Sequence, residues 1–209
     1  SIPHVTQFDE ADITDLDFYR KELKSQVAEQ GVIITFLPFL MKTVAIVFKE
    51  MPEFNSSLDH TGQNLVLKNY YHLGIAVDTP SGLTVPVVRD VDKKSIIDLS
   101  ADLMDLSTRA RDKKLKPAEM KGGTFTLSSL GGIGGTGFSP IVNLPEVAIM
   151  GVSRSAWKQA FDKTSGEFVT RFIMPFSVSY DHRVIDGAAA AIFTSRFASI
   201  LSDLSHFKV

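Results

Sequence analysis

Cysteine is absent from all 209 residues. That absence removes disulfides, thiolate metal sites and any cysteine nucleophile, and it fits a reducing compartment. An excess of either charge is missing too: 22 Lys and Arg stand against 24 Asp and Glu, a formal net charge of −2. No basic run is interleaved with aromatics, so nucleic acid is not an expected partner. No apolar run is long enough to span a bilayer, and no membrane partner is expected. No signal peptide is visible and the chain begins at Ser1, so it reads as an excised fragment. The five histidines, His4, His60, His72, His182 and His206, never pair at metal-ligand spacing, and no metal site is expected.

What is present is an ordinary globular composition, 44% hydrophobic and 22% charged. A chain this long buries roughly 70% of its unfolded surface. "ITDLDFYRKELKSQVAEQG" predicts a helix capped by Thr14 and ended by Gly31, with Leu16, Tyr19, Leu23 and Val27 as its apolar stripe. Thr35–Glu50 is apolar nearly all round, the pattern of a helix sandwiched between other elements. Pro38 is tolerated there because it falls in the first turn. "NLVLK", "YYHLGIAVDT" and "LTVPVVRDV" read as strands. A helix over Ser95–Lys114 follows, with Ser95 and Asp98 resembling a capping box. Strands are expected at Thr124–Leu130, Val147–Val152, Trp157–Phe161 and Phe168–Tyr180, the last two joined by a hairpin turn at "DKTSG". A helix from about Gly187 to Ser205 closes the chain. With no regular strand–helix repeat and no linker, residues 1–209 are expected to form one α+β domain.

Three motifs bear on chemistry. "GIGGTG", Gly132–Gly137, follows a strand with G-x-G-x-x-G spacing, but the following "FSPIVNLP" is not a helix, so a dinucleotide site is rejected. Ser128 and Ser129 end the strand before it, without the G-x-S-x-G spacing of a hydrolase; taken alone they satisfy local backbone. "SVSYDHRVIDGAAAA" delivers His182 to a short elbow between strand and helix. Taken alone, His182 reads as a structural histidine and Asp186 as the N-cap of the last helix. Asp181, His182 and Asp186 make a thin set for a metal ion.

The whole pattern changes the balance. "DHRVIDG" resembles the H-x-x-x-D-G signature of the 2-oxo acid dehydrogenase acyltransferases, the catalytic domains of dihydrolipoamide acyltransferases. Chloramphenicol acetyltransferases share that signature and fold. "IPHVT", "GIAVDTPSGLTVPVVRD" and "GGTFTLSSLGGIGGTGFSPIVNLPEVAIMGVS" resemble further family segments in order, so the likeness covers essentially the whole chain. An arginine-containing segment that usually precedes the "PHVT" equivalent is missing. The wording "FSPIVNLPEVAI" is most similar to the acetyl-transferring members of pyruvate dehydrogenase complexes.

The resemblance implies a mixed-sheet two-layer domain of the chloramphenicol acetyltransferase-like type that forms trimers, and trimers that assemble into a hollow cage. It implies acetyl exchange between the thiol of a dihydrolipoyl group and coenzyme A. The lipoyl group would be carried covalently by a domain outside this chain, and the partners would be lipoyl domains and the decarboxylase and dihydrolipoamide dehydrogenase components. The compartment would be the bacterial cytoplasm, or the mitochondrial matrix of a eukaryote. His182 is the expected general base, since a neutral imidazole matches a thiol with pKa near about 8.5. The resemblance gives oxyanion stabilisation to Ser128 rather than Ser129, and Asp186 corresponds to the signature aspartate, supporting the elbow and His182. Two rivals remain open: a small-molecule O-acetyltransferase of the chloramphenicol class, and a non-catalytic core subunit.

Overall fold

Alternating strands and helices place their side chains on two faces, and this chain uses the alternation to separate an apolar layer from a polar one. The computed structural model describes residues 1–208. In chain order the elements are β1 (His4–Asp12), α1 (Thr14–Gln26), α2 (Leu37–Glu50), β2 (Ser56–Leu58), β3 (Leu65–Leu67), β4 (Leu73–Ile75), β5 (Val77–Thr79), β6 (Gly82–Thr84) and β7 (Val87–Val88). Then follow α3 (Ile96–Arg111), β8 (Phe125–Ser129), β9 (Ala148–Val152), β10 (Ala156–Asp162), β11 (Glu167–Asp181) and α4 (Gly187–Leu201). The main sheet runs β1-β11-β9-β8-β4-β7, with β10 paired to β11 beyond β9; β2–β3 and β5–β6 are separate small hairpins. Parallel pairs β4–β8 and β8–β9 sit among antiparallel ones, so the sheet is mixed and the fold α+β.

The apolar face carries Phe125, Phe176, Val178 and Tyr180, all buried. The ring of Phe125 packs on Phe48 of α2 at 5.3 Å, and that of Phe176 on Phe197 of α4 at 5.0 Å. Alternation then forces Thr126, Ser128, Ser177, Ser179 and Asp181 onto the opposite face. There the segment 130–147 covers the sheet: Ser177 Oγ donates to the Phe138 carbonyl at 2.6 Å, and a Cβ at Gly151 would meet the Phe138 ring at 2.7 Å. Glycine at 151 lets that aromatic ring rest on the sheet beside Ser128.

Several expectations are refined. Thr14 does not cap α1: the N-cap is Ile13, with no side-chain cap, while the Thr14 hydroxyl donates to Asp12 at 2.6 Å and accepts from Phe172 N–H at 2.8 Å. The helix stops at Gln26, and Gly31, at φ 70°, closes a short 3-10 turn over Ala28–Gln30 instead. "YYHLGIAVDT" and "LTVPVVRDV" each break in two, the second around Pro86, which has no N–H for a ladder. The Ser95–Asp98 capping box and the turn between Asp162 and Glu167 form as read. The last helix ends at Leu201, earlier than expected, and a 3-10 turn at Leu204–His206 follows. No helix among the described residues is long and apolar enough to cross a membrane.

Candidate active site

Each arm of the elbow around His182 is tied down. Asp181 closes β11, its N–H donating to the Val147 carbonyl at 2.8 Å. Its own carbonyl accepts from Val184 and Ile185, at 2.9 and 3.0 Å, which turns the chain. Its carboxylate, almost fully buried, takes Arg183 N–H at 3.0 Å and a two-pronged guanidinium contact at 2.6–3.2 Å. Although burial opposes the charge, the Arg183 contacts hold the Asp181 carboxyl below the usual carboxylate range. Asp186 then caps α4, its Oδ1 accepting from Ala189 N–H at 2.8 Å. Between these anchors the backbone N–H of His182 donates to the Pro3 carbonyl at 2.9 Å. The imidazole itself is exposed, stands edge-on to the Tyr180 ring at 5.9 Å, and makes no hydrogen bond among the described residues. The elbow presents a free ring.

Asp186 supports that elbow as a cap, and its carboxylate makes no hydrogen bond to His182. Its charge, after burial, is the second cause raising the Tyr180 hydroxyl above its ordinary range. Ser128 is half-buried on the polar face, and its hydroxyl has no hydrogen-bond partner among the described residues. Ser129 is exposed, and its Oγ accepts the Gly131 N–H at 3.5 Å. Ser129 also lines two cavities of about 500 and 390 Å³, between α3, β4 and the start of α2 in one case and between α2, β9 and the glycine loop in the other. Gly132 lines the second, and the G-x-G-x-x-G segment is loop throughout, without the helix a dinucleotide site needs.

One chain does not bring His182 and Ser128 together. Register sets Ser128 opposite Gly151 and Gly151 opposite Ser177, with the end of β11 at Asp181 four residues further on and His182 just past it. At about 3.3 Å per residue that is roughly 17 Å along the strand, plus roughly 10 Å across two strand spacings. The two groups face opposite ends of the sheet.

Glu146 was not singled out from the sequence. It is 6% exposed, and the Thr126 hydroxyl lies 3.0 and 2.7 Å from its two oxygens. Burial pushes its carboxyl up to about 7. The only signal available was an acid immediately ahead of the wholly apolar run that becomes β9.

Known proteins share this sequence pattern and fold. The pattern of the 2-oxoacid dehydrogenases acyltransferase (catalytic domain) family matches residues 1–208. A dihydrolipoyllysine-residue acetyltransferase component of pyruvate dehydrogenase complex from Pseudomonas aeruginosa is 53% identical over 204 residues, which is 98% of this chain and 37% of that protein. The chain thus spans about a third of that relative's length. A structure of Azotobacter vinelandii dihydrolipoamide acetyltransferase, studied for the role of a serine, a histidine and an asparagine in its catalytic mechanism, superposes with a TM-score of 0.96 at 52% identity, covering 99% of this chain and 84% of that one. The cubic core of a pyruvate dehydrogenase multienzyme complex gives the same score at 51% identity, with the same coverage. A chloramphenicol acetyltransferase, at 15% identity and TM-score 0.64 over 96% of this chain and 89% of that one, shares the fold. With the family pattern running through the elbow, the serine strand and the polar sheet face alike, this chain belongs to the 2-oxoacid dehydrogenase acyltransferases.

Proposed function

We propose that this chain is the catalytic domain of an acetyltransferase that exchanges an acetyl group between a dihydrolipoyl thiol and coenzyme A, within the core of a pyruvate dehydrogenase complex. The observation that carries the reading is the free, exposed imidazole of His182 at the head of an elbow whose every flanking residue is anchored. Nothing among the described residues hydrogen-bonds that ring, so it is available to an incoming thiol. As the thiol sulfur attacks the thioester carbonyl, His182 takes its proton and a C–S bond forms. The carbonyl oxygen becomes an oxyanion, which the unpartnered Ser128 hydroxyl stabilises by donation. Collapse breaks the second C–S bond, and the imidazolium returns the proton to the departing thiolate. Transfer is direct, which is compatible with a chain lacking cysteine. Asp186 holds the elbow and the start of α4 and takes no proton.

Because His182 and Ser128 sit at opposite ends of one sheet, the working site joins His182 of one subunit with Ser128 of another. With the family likeness, this leads us to a closed trimer, with three such sites, as the catalytic unit. The likeness to a cubic core supports trimers built further into a cage, with lipoyl domains, decarboxylase and dihydrolipoamide dehydrogenase as partners. The greater length of the relatives leaves room for lipoyl and partner-binding domains on the same protein. The relatives named are bacterial, and the cytoplasm is the compartment proposed.

Mixed assemblies test this. Alone, His182→Ala lowers kcat by roughly 10²–10⁴-fold, the ordinary worth of a general base, and Ser128→Ala by roughly 10²–10³-fold, that of one oxyanion donor. Co-refolded, they regain a measurable fraction of acetyl transfer, since some sites pair an intact histidine with an intact serine. Activity that stays at the sum of the separate variants, with mixing verified by mass spectrometry, would place the site within one subunit.

A further inference from the structure

A buried acid that makes no ion pair among the described residues needs an explanation, and Glu146 lies between the strand that carries Ser128 and the base of the elbow that carries His182. Its oxygens both approach the Thr126 hydroxyl, at 3.0 and 2.7 Å. Thr126 stands on β8 two residues before Ser128. Glu146 belongs to the segment that enters β9; its N–H donates to the Asn143 carbonyl, and the next carbonyl, that of Val147, receives the N–H of Asp181 at the base of the elbow. The pair is enclosed by two glycines. A Cβ at Gly74 would meet Thr126 Oγ1 at 2.8 Å, and one at Gly123 would meet Glu146 Oε1 at 3.2 Å. The first would displace Thr126 or its neighbours, and the second would press on the Glu146 carboxyl.

We propose that Glu146 is a positioning residue: through Thr126 and the Val147 carbonyl it fixes the strand bearing Ser128 and the elbow bearing His182 to each other. This rests on the acetyl-transfer reading above. Since those two groups serve different sites in a trimer, the link also ties each site to its neighbour.

The link works in the neutral form of the acid. A protonated carboxyl can accept from the Thr126 hydroxyl or donate to it, whereas a carboxylate has that single hydroxyl as its only side-chain donor among the described residues. The charges around it do not favour ionisation. From the elbow side Asp181 and Arg183 line a cavity of about 260 Å³ with Glu146, joined by Asp59 and His60 from the β2–β3 turn. Arg183 is committed to Asp181. From the other side Lys121 lines a second cavity of about 330 Å³, to which β7 and the residues just before it contribute only the apolar Val85 and Val87. Burial accordingly holds Glu146 protonated up to about pH 7. Above that, an uncompensated buried charge loosens the segment 143–147, and transfer slows.

The test is the pH profile of acetyl transfer from acetyl-CoA to dihydrolipoamide by the assembled protein. In the wild type kcat should fall as pH rises through the Glu146 ionisation. Glu146→Gln, which keeps a neutral hydrogen-bonding side chain, should lack that falling limb while staying within about three-fold of wild type at acid pH. Glu146→Ala and Thr126→Val should each lose about ten-fold or more in kcat with KM for CoA changed far less, the signature of misplaced rather than unbound reactants. A falling limb that persists in Glu146→Gln, or a wild type without one, overturns the role of Glu146 while leaving acetyl transfer intact. A wild type that transfers no acetyl at any pH overturns both readings.

Discussion

Two adjacent serines end the same strand, yet their side chains leave on opposite faces of the sheet. Ser128 shares the polar face with Thr126, Ser177 and the Phe138 ring, and its hydroxyl is unclaimed. Ser129 leans toward the cavities and engages the N–H of Gly131. A hydroxyl without a local acceptor or donor is free to turn toward a charge that appears only in the transition state. Ser128→Ala should therefore cost about 10²–10³-fold in kcat with little change in KM for CoA, and Ser129→Ala much less. Steady-state kinetics on the two variants checks this, and the opposite order would give the oxyanion to Ser129. The sequence made both serines visible but not their facing, which depends on where the strand begins. Glu146 was hidden for a related reason. An acid between proline and an apolar run looks like a loop residue until the fold encloses it.

At the scale of elements, α4 shows how a helix start doubles as part of a site. Asp186, at φ −93° and ψ 170°, caps the helix through Ala189 N–H, and this fixes where the elbow from Asp181 ends. Asp186→Ala should remove about 1 kcal/mol of stability, or about 2–4 °C in Tm for a domain this size. Asp186→Asn, which keeps the cap, should melt within a degree or so of the wild type. Equal losses in both variants would mean that the charge, rather than the cap, is what matters there. Elements with local signals were legible: α2 from its apolar girdle, α3 from its capping box, the β10–β11 hairpin from its turn. β1 was not. "HVTQFDEAD" keeps Val5 and Phe8 exposed and buries only Ala11 among its hydrophobics, so its strand character comes from pairing with β11 rather than from its own pattern. Likewise β2 exists because β3 pairs with it. The expected Thr14 cap failed because the hydroxyl had a better use, accepting from the Phe172 N–H of β11.

Across the whole molecule, the first strand and the longest late one lie side by side over their full contact, from His4 opposite Asp181 to Asp12 opposite Ile173. The His182 backbone leans on Pro3 at the end of that seam, and His4 stitches it to the covering segment by accepting the Val142 N–H at 2.9 Å. Pairing strands so distant in sequence means closing a loop of nearly the entire chain, a step paid for in entropy before its contacts reward it. Helices α2, α3 and α4 are local by comparison. The order of assembly follows: helical structure comes early, the β1–β11 seam late, and the elbow is complete only when the seam is. Refolding should then recover the far-ultraviolet helix signal before acetyl transfer, with a lag that shortens with protein concentration only to a floor set by closure of the seam. A lag that vanishes at high concentration would point to subunit encounter as the slow event. Until β1 and β11 have paired, the elbow that presents His182 lacks its Pro3 anchor, so a half-folded copy does not carry the proposed site.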